Sequence, residues 1–297
     1  MKKDVYNKVY KKVPQDQIER LKRFRSTHEY KHLTVDGATW EYISCGQGKD
    51  ALLLLTGGTG IGEAFFPHIT AFENEYRIIC PSYPPVPTFE GLVDGVMKIL
   101  EVEGIHQVNI VGQSLGGILA QVIVRKYPDK VNKLILSHTT TKPHSADQAI
   151  ILKKTKRIEK ALKIFSFLPF WISRPLFTRN ISKLASTVNT EETEFWKAYF
   201  YEMFSYMTKE HLLSHFMRIL DFIQNYTFSK DDLASWLRKI LILESENDQA
   251  ISPSERDALK EMYPKAQVHT FHGTGHLTLA LNREESIPVI RNFLQQK

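Results

Sequence analysis

Three residues of this chain, Ser114, Asp248 and His276, have the types and the order needed for nucleophilic acyl chemistry. Ser114 stands in Gly112-Gln113-Ser114-Leu115-Gly116, a G-x-S-x-G pattern. A serine hydroxyl attacks a carbonyl only when a base removes its proton, and imidazole is suited to that work near neutral pH. A carboxylate behind the imidazole accepts its Nδ1 hydrogen and stabilises the imidazolium. The bare pattern arises by chance in about one chain of this length in twenty, so its setting must decide. The run 107–111 before it is β-branched and apolar, and 118–125 after it suits a helix. Strand, sharp turn and helix form a nucleophile elbow, which holds the serine oxygen at a helix N-terminus.

The base candidate is His276, in a glycine-rich loop after the strand-like run 267–271. His272 and His269 compete; His269 sits within that strand, and His272 precedes the glycines. The acid candidate is Asp248, beyond the apolar run 240–243, in a loop closed by Pro253. Glu246 is the runner-up, and Glu244 belongs to the strand end. An oxyanion needs backbone amides that can approach closely. The run Thr56-Gly57-Gly58-Thr59-Gly60 after the strand 51–55 offers the amide of Gly58, and Leu115 offers the second.

The same glycines invite a dinucleotide-loop reading, and their spacing weakens it. G-x-G-x-x-G from Gly58 requires glycine where Glu63 stands, and the short-chain dehydrogenase form requires it at Ile61 and Glu63. The strand-like run 77–80 ends without the acid that would bind a ribose. No nicotinamide, other organic cofactor or metal is expected.

Taken together, these motifs resemble the α/β-hydrolase superfamily from about Thr34 to the C-terminus. Its members carry nucleophile, acid and histidine on loops at one edge of a mostly parallel sheet, and Ser114, Asp248 and His276 match those positions. Two departures bear on the pocket rim. Thr56 stands where the family usually has histidine, and Pro81-Ser82-Tyr83-Pro84-Pro85-Val86-Pro87-Thr88 replaces the usual Asp-x-x-Gly-x-Gly-x-Ser turn. A weaker likeness to maspardin-type members rests on Phe65-Phe66, Tyr76-Arg77-Ile78-Ile79, Ser114-Leu115-Gly116-Gly117 and Glu261-Met262-Tyr263-Pro264. That likeness would imply a non-catalytic binding or adaptor protein, and the retained His276 argues instead for catalysis.

Strand-like runs at 32–35, 39–44, 51–55, 77–80, 107–111, 133–137, 239–243 and 267–271 alternate with helical patterns after an initial hairpin at Asp36-Gly37. This predicts an α/β protein with a doubly wound, mostly parallel sheet. The alternation lapses over 142–235, which reads as helix throughout and is where the resemblance implies an all-helical lid over the serine. The expected division is a basic helical extension at 1–30, a core at 31–141 and 236–297, and the lid at 142–235. A short amphipathic helix is predicted at 14–25, with Ile18, Leu21 and Phe24 on one face. Most lid aromatics are expected to form its own core. The stretch 164–172 is the candidate for pocket lining or a membrane-touching edge.

At 297 residues, 42% hydrophobic and 24% charged, the composition is that of an ordinary globular protein. The first residues, Met1-Lys2-Lys3-Asp4, are not followed by a signal-peptide core, no run reaches the length of a membrane helix, and two cysteines need no disulfide framework. Cytoplasm is the expected location. The net charge of +6 gathers in the first 25 residues and in 153–163. No nucleic-acid reader motif accompanies it, so a solvated basic face is expected first and contact with anionic lipid or an acidic substrate second. The expected activity is hydrolysis of a carboxylic ester or related small to medium apolar acyl substrate through an acyl-enzyme.

Overall fold

Asp36 and Gly37, with φ of 48° and 79°, turn the chain between β1 (Tyr30–Val35) and β2 (Ala38–Cys45). A two-residue loop with both centres left-handed matches the twist of the hairpin strands. The computed structural model describes residue 6 and residues 8–143, 147–185, 192–236 and 238–296. Six further strands follow: β3 (Asp50–Leu55), β4 (Tyr76–Ser82), β5 (Val108–Gln113), β6 (Val131–Ser137), β7 (Ile240–Ser245) and β8 (Gln267–Phe271). They form one eight-stranded sheet in the order β1-β2-β4-β3-β5-β6-β7-β8, with β1–β2 and β2–β4 antiparallel and the remaining pairs parallel. All eight strands lie where the sequence predicts them, with ends displaced by two residues or fewer.

β3 explains why the sheet is covered on both faces. Leu52 and Leu54 pack with Phe66, Phe72 and Phe293, whereas Leu53 and Leu55 pack with Leu92, Val96, Leu119 and Ile123. Successive side chains point to opposite faces, so a continuous leucine run demands helices on each side. One layer contains α1 (Gln15–Thr27), α2 (Phe66–Phe72) and α11 (Arg283–Gln295). The other contains α3 (Phe89–Val102), α4 (Leu115–Lys126) and α9 (Pro253–Met262). The short α10 (Thr278–Leu281) precedes α11.

Between β6 and β7 the described residues hold helices and no strand: α5 (Gln148–Phe167), α6 (Phe170–Ala185), α7 (Thr193–Ser205) and α8 (Lys209–Asn225). Thr208 caps α8 by accepting from the His211 amide, and Asp147 caps α5 by accepting from the Ala149 and Ile150 amides. Phe195, Trp196, Tyr199, Phe200 and Phe204 are buried along α7, with Phe66 of α2 against Phe195 and Trp196 at centroid distances of 5.8 Å.

The predicted amphipathic helix at the N-terminus is α1, and it buries Ile18, Leu21 and Phe24. Arg25 on its last turn meets two carboxylates. Its Nη2 donates to Glu63 Oε1 at 2.6 Å and its Nη1 to Glu202 Oε1 at 3.0 Å. Glu63 and Glu202 are only 4% and 1% exposed, so this pairing neutralises acids that water cannot reach. Tyr10 donates a further bond to Glu202 Oε2 at 2.5 Å. Through these contacts α1 ties the turn Gly62–Phe65 to α7.

Candidate active site

Ser114 ends the turn from β5 into α4 with φ 53° and ψ −118°. A non-glycine residue there is strained, and the surrounding packing must enforce it. A Cβ on Gly112 would overlap the Gly116 carbonyl, and one on Gly116 would overlap the Leu55 carbonyl. The glycines of the motif are therefore demanded by close backbone approach. The Ser114 amide donates to Ser137 O at 2.9 Å, and Thr139 Oγ1 donates to Ser114 O at 2.6 Å, so the turn is held from β6 as well.

The Ser114 hydroxyl oxygen lies 3.1 Å from His276 Nε2. On the far side of the ring, Nδ1 lies 3.0 Å from both Asp248 carboxylate oxygens. Because a carboxylate only accepts, Nδ1 carries the hydrogen and Nε2 presents a lone pair to the serine in the neutral imidazole. The amides of Ala250 and Ile251 donate to Asp248 Oδ1 at 2.8 and 2.9 Å. Burial works against ionising Asp248, but the His276 hydrogen bond and charge and these two amides outweigh it and hold the carboxyl below its ordinary range.

The competing residues lie elsewhere. Glu246 and His272 face each other at 3.6 Å, both largely exposed, and His269 pairs with Glu285 at 3.1 Å. Glu244 is buried and engages Lys260 and Thr270. Leu115 is the first residue of α4, and Gly58 lies on the loop after β3. Both line the same cavity as Ser114 and His276.

That cavity has a volume of about 660 Å³. Its walls include Phe65, Phe89, Ile118, Phe200, Ile219 and Phe222, with a more polar end at Lys142, Asp147, Lys154, Arg157 and Glu255. Lys154 and Glu255 form an ion pair there. Of the residues in 164–172, none is among those lining the cavity; the helical insertion contributes Ile150, Ile151, Ile158 and Phe200 instead.

Several site residues escaped the sequence reading. His215 Nδ1 lies 2.9 Å from the Gly58 carbonyl. Burial and the nearby Arg218 charge, only partly offset by that carbonyl, lower its pKa to about 4. Arg218, itself buried, donates from Nε to Val86 O at 2.7 Å and from Nη2 to Pro84 O, and so clamps the unusual rim turn onto α8. Asp221 accepts from the Phe89 amide at 2.7 Å beside it. Beneath His276, His138 Nε2 bonds Ser245 Oγ at 2.6 Å, Ser245 bonds Thr278 Oγ1 at 2.7 Å, and Thr278 donates to the Gly275 carbonyl at 2.6 Å. This buried chain sets the backbone position of the loop that carries His276.

Among the described residues, one group of potential metal ligands comes together: His28, Cys45 and Glu73. It lies with the beginning of β4, since Cys45 pairs with Ile78, whereas Ser114 follows the far end of β5. His28 and Glu73 already meet at 2.6 Å as a mutual pair.

The comparisons with known proteins bear on the fold that carries this site. The sequence profile of the alpha/beta hydrolase fold family matches residues 50–282. A poly(3-hydroxyalkanoate) depolymerase from Ectopseudomonas oleovorans is 26% identical over 278 residues, covering 84% of this chain and 87% of that protein. Maspardin from Danio rerio is 30% identical over 125 residues, 39% of this chain and 40% of its own. The crystal structure of a hydrolase from Pseudomonas aeruginosa PA01 superposes with a TM-score of 0.72 at 18% identity, covering 90% of this chain and 99% of that one. With the family profile spanning every strand from β3 to β8 and both ends of the Ser114–His276–Asp248 chain, this protein belongs to the alpha/beta hydrolase fold family.

Proposed function

We propose that this protein is a serine hydrolase that cleaves carboxylic esters, or related acyl compounds, of small to medium apolar acyl groups. The observation that carries this reading is the continuous hydrogen-bonded chain from the Ser114 hydroxyl through His276 to Asp248, opening onto a largely apolar cavity. Ser114 Oγ attacks the carbonyl carbon while His276 Nε2 takes its proton. The amides of Gly58 and Leu115 receive the tetrahedral oxyanion. His276 then gives the proton to the leaving alcohol, and water, activated by the same imidazole, releases the acid from the acyl-enzyme. Asp248 keeps the ring oriented and stabilises its cation without taking up the proton.

The helices between β6 and β7 act here as a cap over the serine, on a core of 31–141 and 236–297, with 1–30 as an extension. The cap supplies Ile150, Ile151, Ile158 and Phe200 to the acyl pocket. A substrate of this kind is a small molecule, and this mechanism uses no metal or organic cofactor.

The test is intact-mass labelling with a fluorophosphonate. One adduct on the wild type, lost in Ser114→Ala and in His276→Ala, is the expected result, and an ester series of rising acyl length then sizes the pocket. A folded wild type that takes no adduct, even with the smallest phosphonate, overturns the reading and favours a binding protein on a hydrolase scaffold.

A further inference from the structure

We propose that the exposed aromatic edge at the α5–α6 turn, with the cations around it, docks this protein on an anionic membrane surface. Among the described residues, four aromatics of the insertion are exposed, and two of them stand furthest out. Phe167 is 79% exposed and Trp171 is 74% exposed. Ile164, Leu176 and Tyr206 are exposed as well. Ile164, Phe167 and Trp171 are spaced by three and four residues across the junction between the two helices. Lys209 Nζ donates to Ser166 O at 2.7 Å, and Arg174 Nη1 to Ser205 O at 3.5 Å. Those bonds bring the start of α8, and Tyr206 just before it, against the same turn.

The chemistry of this edge selects its partner. α5 has no buried residue along its 20 positions. It carries Lys153, Lys154, Lys156, Arg157, Lys160 and Lys163 against a single acid, Glu159. A basic helix that ends in Phe and Trp matches an interfacial element, whose rings enter the headgroup layer while lysines meet anionic lipid. A second copy of this chain is a poorer fit, because a symmetric contact would bring Lys160 and Lys163 toward their own images. No described helix is long and apolar enough to cross the membrane, so the contact is peripheral.

α5 also reaches the cavity, through Ile150, Ile151, Arg157 and Ile158. At about 1.5 Å per residue, the nine positions from Ile158 to Phe167 span roughly 14 Å. Docking by the far end of the helix therefore holds the acyl cavity close to the lipid layer. If the serine hydrolase reading stands, the substrate class becomes an acyl ester that partitions into membranes; the docking itself does not depend on that reading.

The experiment is co-sedimentation with vesicles, using Ser114→Ala protein so that lipid hydrolysis plays no part. The expected result is binding to vesicles of mixed phosphatidylserine and phosphatidylcholine, weakening with salt, and little binding to phosphatidylcholine alone. Phe167→Ser with Trp171→Ser, and separately Lys160→Glu with Lys163→Glu, each weaken binding by about tenfold or more. These positions are exposed and outside the cavity lining, so thermal melting and, in the serine-bearing protein, hydrolysis of a soluble ester stay at the wild-type level. Absence of vesicle binding, or binding that both double variants retain, overturns the proposal. Concentration-dependent dimers abolished by the aromatic variant, without vesicle binding, overturn it in favour of an interface between copies.

Discussion

His215 Nδ1 lies 2.9 Å from the carbonyl oxygen of Gly58, so a side chain of the helical insertion holds the loop that carries the proposed oxyanion amide. A carbonyl only accepts, so Nδ1 carries the hydrogen, and a pKa near 4 keeps the ring neutral at pH 7. A Cβ on Gly58 would overlap this ring, which leaves the loop no room to drift toward α8.

Replacing His215 by Phe is expected to lower kcat about tenfold, since the ring holds the proposed oxyanion loop, with a smaller change in KM because the ring also lines the cavity. Steady-state kinetics on a short soluble ester measures both constants. A loss confined to KM would show that His215 serves binding alone.

Asp248→Asn is expected to reduce kcat by about 10²–10⁴-fold, because the amide cannot enforce the Nδ1–H tautomer. It also changes stability in a defined pH window. The Asp248 carboxyl sits below its ordinary value in the native state, so its contribution is full above about pH 4 and is lost as the pH falls through the native value. Urea unfolding of wild type and variant at pH 7 and pH 3 checks this; the gap between them narrows at the lower pH.

Three buried histidines predict a separate acid transition. Burial lowers His68 to about 4, His138 to about 3 and His215 to about 4, with neighbouring charges from Arg283, His276 and Arg218 respectively acting in the same direction. The unfolded chain protonates each near pH 6.5, whereas the native state resists until far lower. Stability therefore falls as pH drops from about 6.5 toward 4, with a limiting slope of about 4 kcal/mol per pH unit for three protons. Denaturation midpoints between pH 7 and pH 5 read that slope. A flat profile would mean that the rings are protonated in the folded protein.

Arg25→Met leaves Glu63 and Glu202 buried without their cation, and a loss of about 3–5 kcal/mol is expected. Calorimetry gives the magnitude. Adding Glu63→Gln and Glu202→Gln to the variant recovers part of it, because the orphaned charges are then gone.

The parts of the site that were legible in sequence are local. The elbow is visible because Gly112 and Gly116 flank Ser114 between a strand and a helix, and Asp248 and His276 each follow a β-branched or apolar strand. The sheet was legible because leucine, isoleucine and valine runs buried on both faces have few other uses. His215, His138 and Thr139 were not. His215 meets Gly58 across 157 positions; it shares the apolar stripe of Leu212, Ile219 and Phe222 on α8, but nothing in sequence marks the glycine loop it meets. His138 lies directly after a correctly placed strand, yet its role depends on Ser245, 107 positions away. The rim turn at Pro84 and Val86 looked like a departure from a family pattern, and only the buried guanidinium of Arg218 accounts for how it is held.

The spacing of the Ser114–His276 bond has a consequence for how the protein is born. The two residues are 162 positions apart, and β6 and β7 pair across the whole helical insertion. A ribosome adding about 5–20 residues per second makes Ser114 roughly 8–30 s before it makes His276. Throughout that interval the Ser114 hydroxyl lacks the imidazole it meets in the folded protein. On the proposed reading, the site is complete only once the loop after β8 has been made.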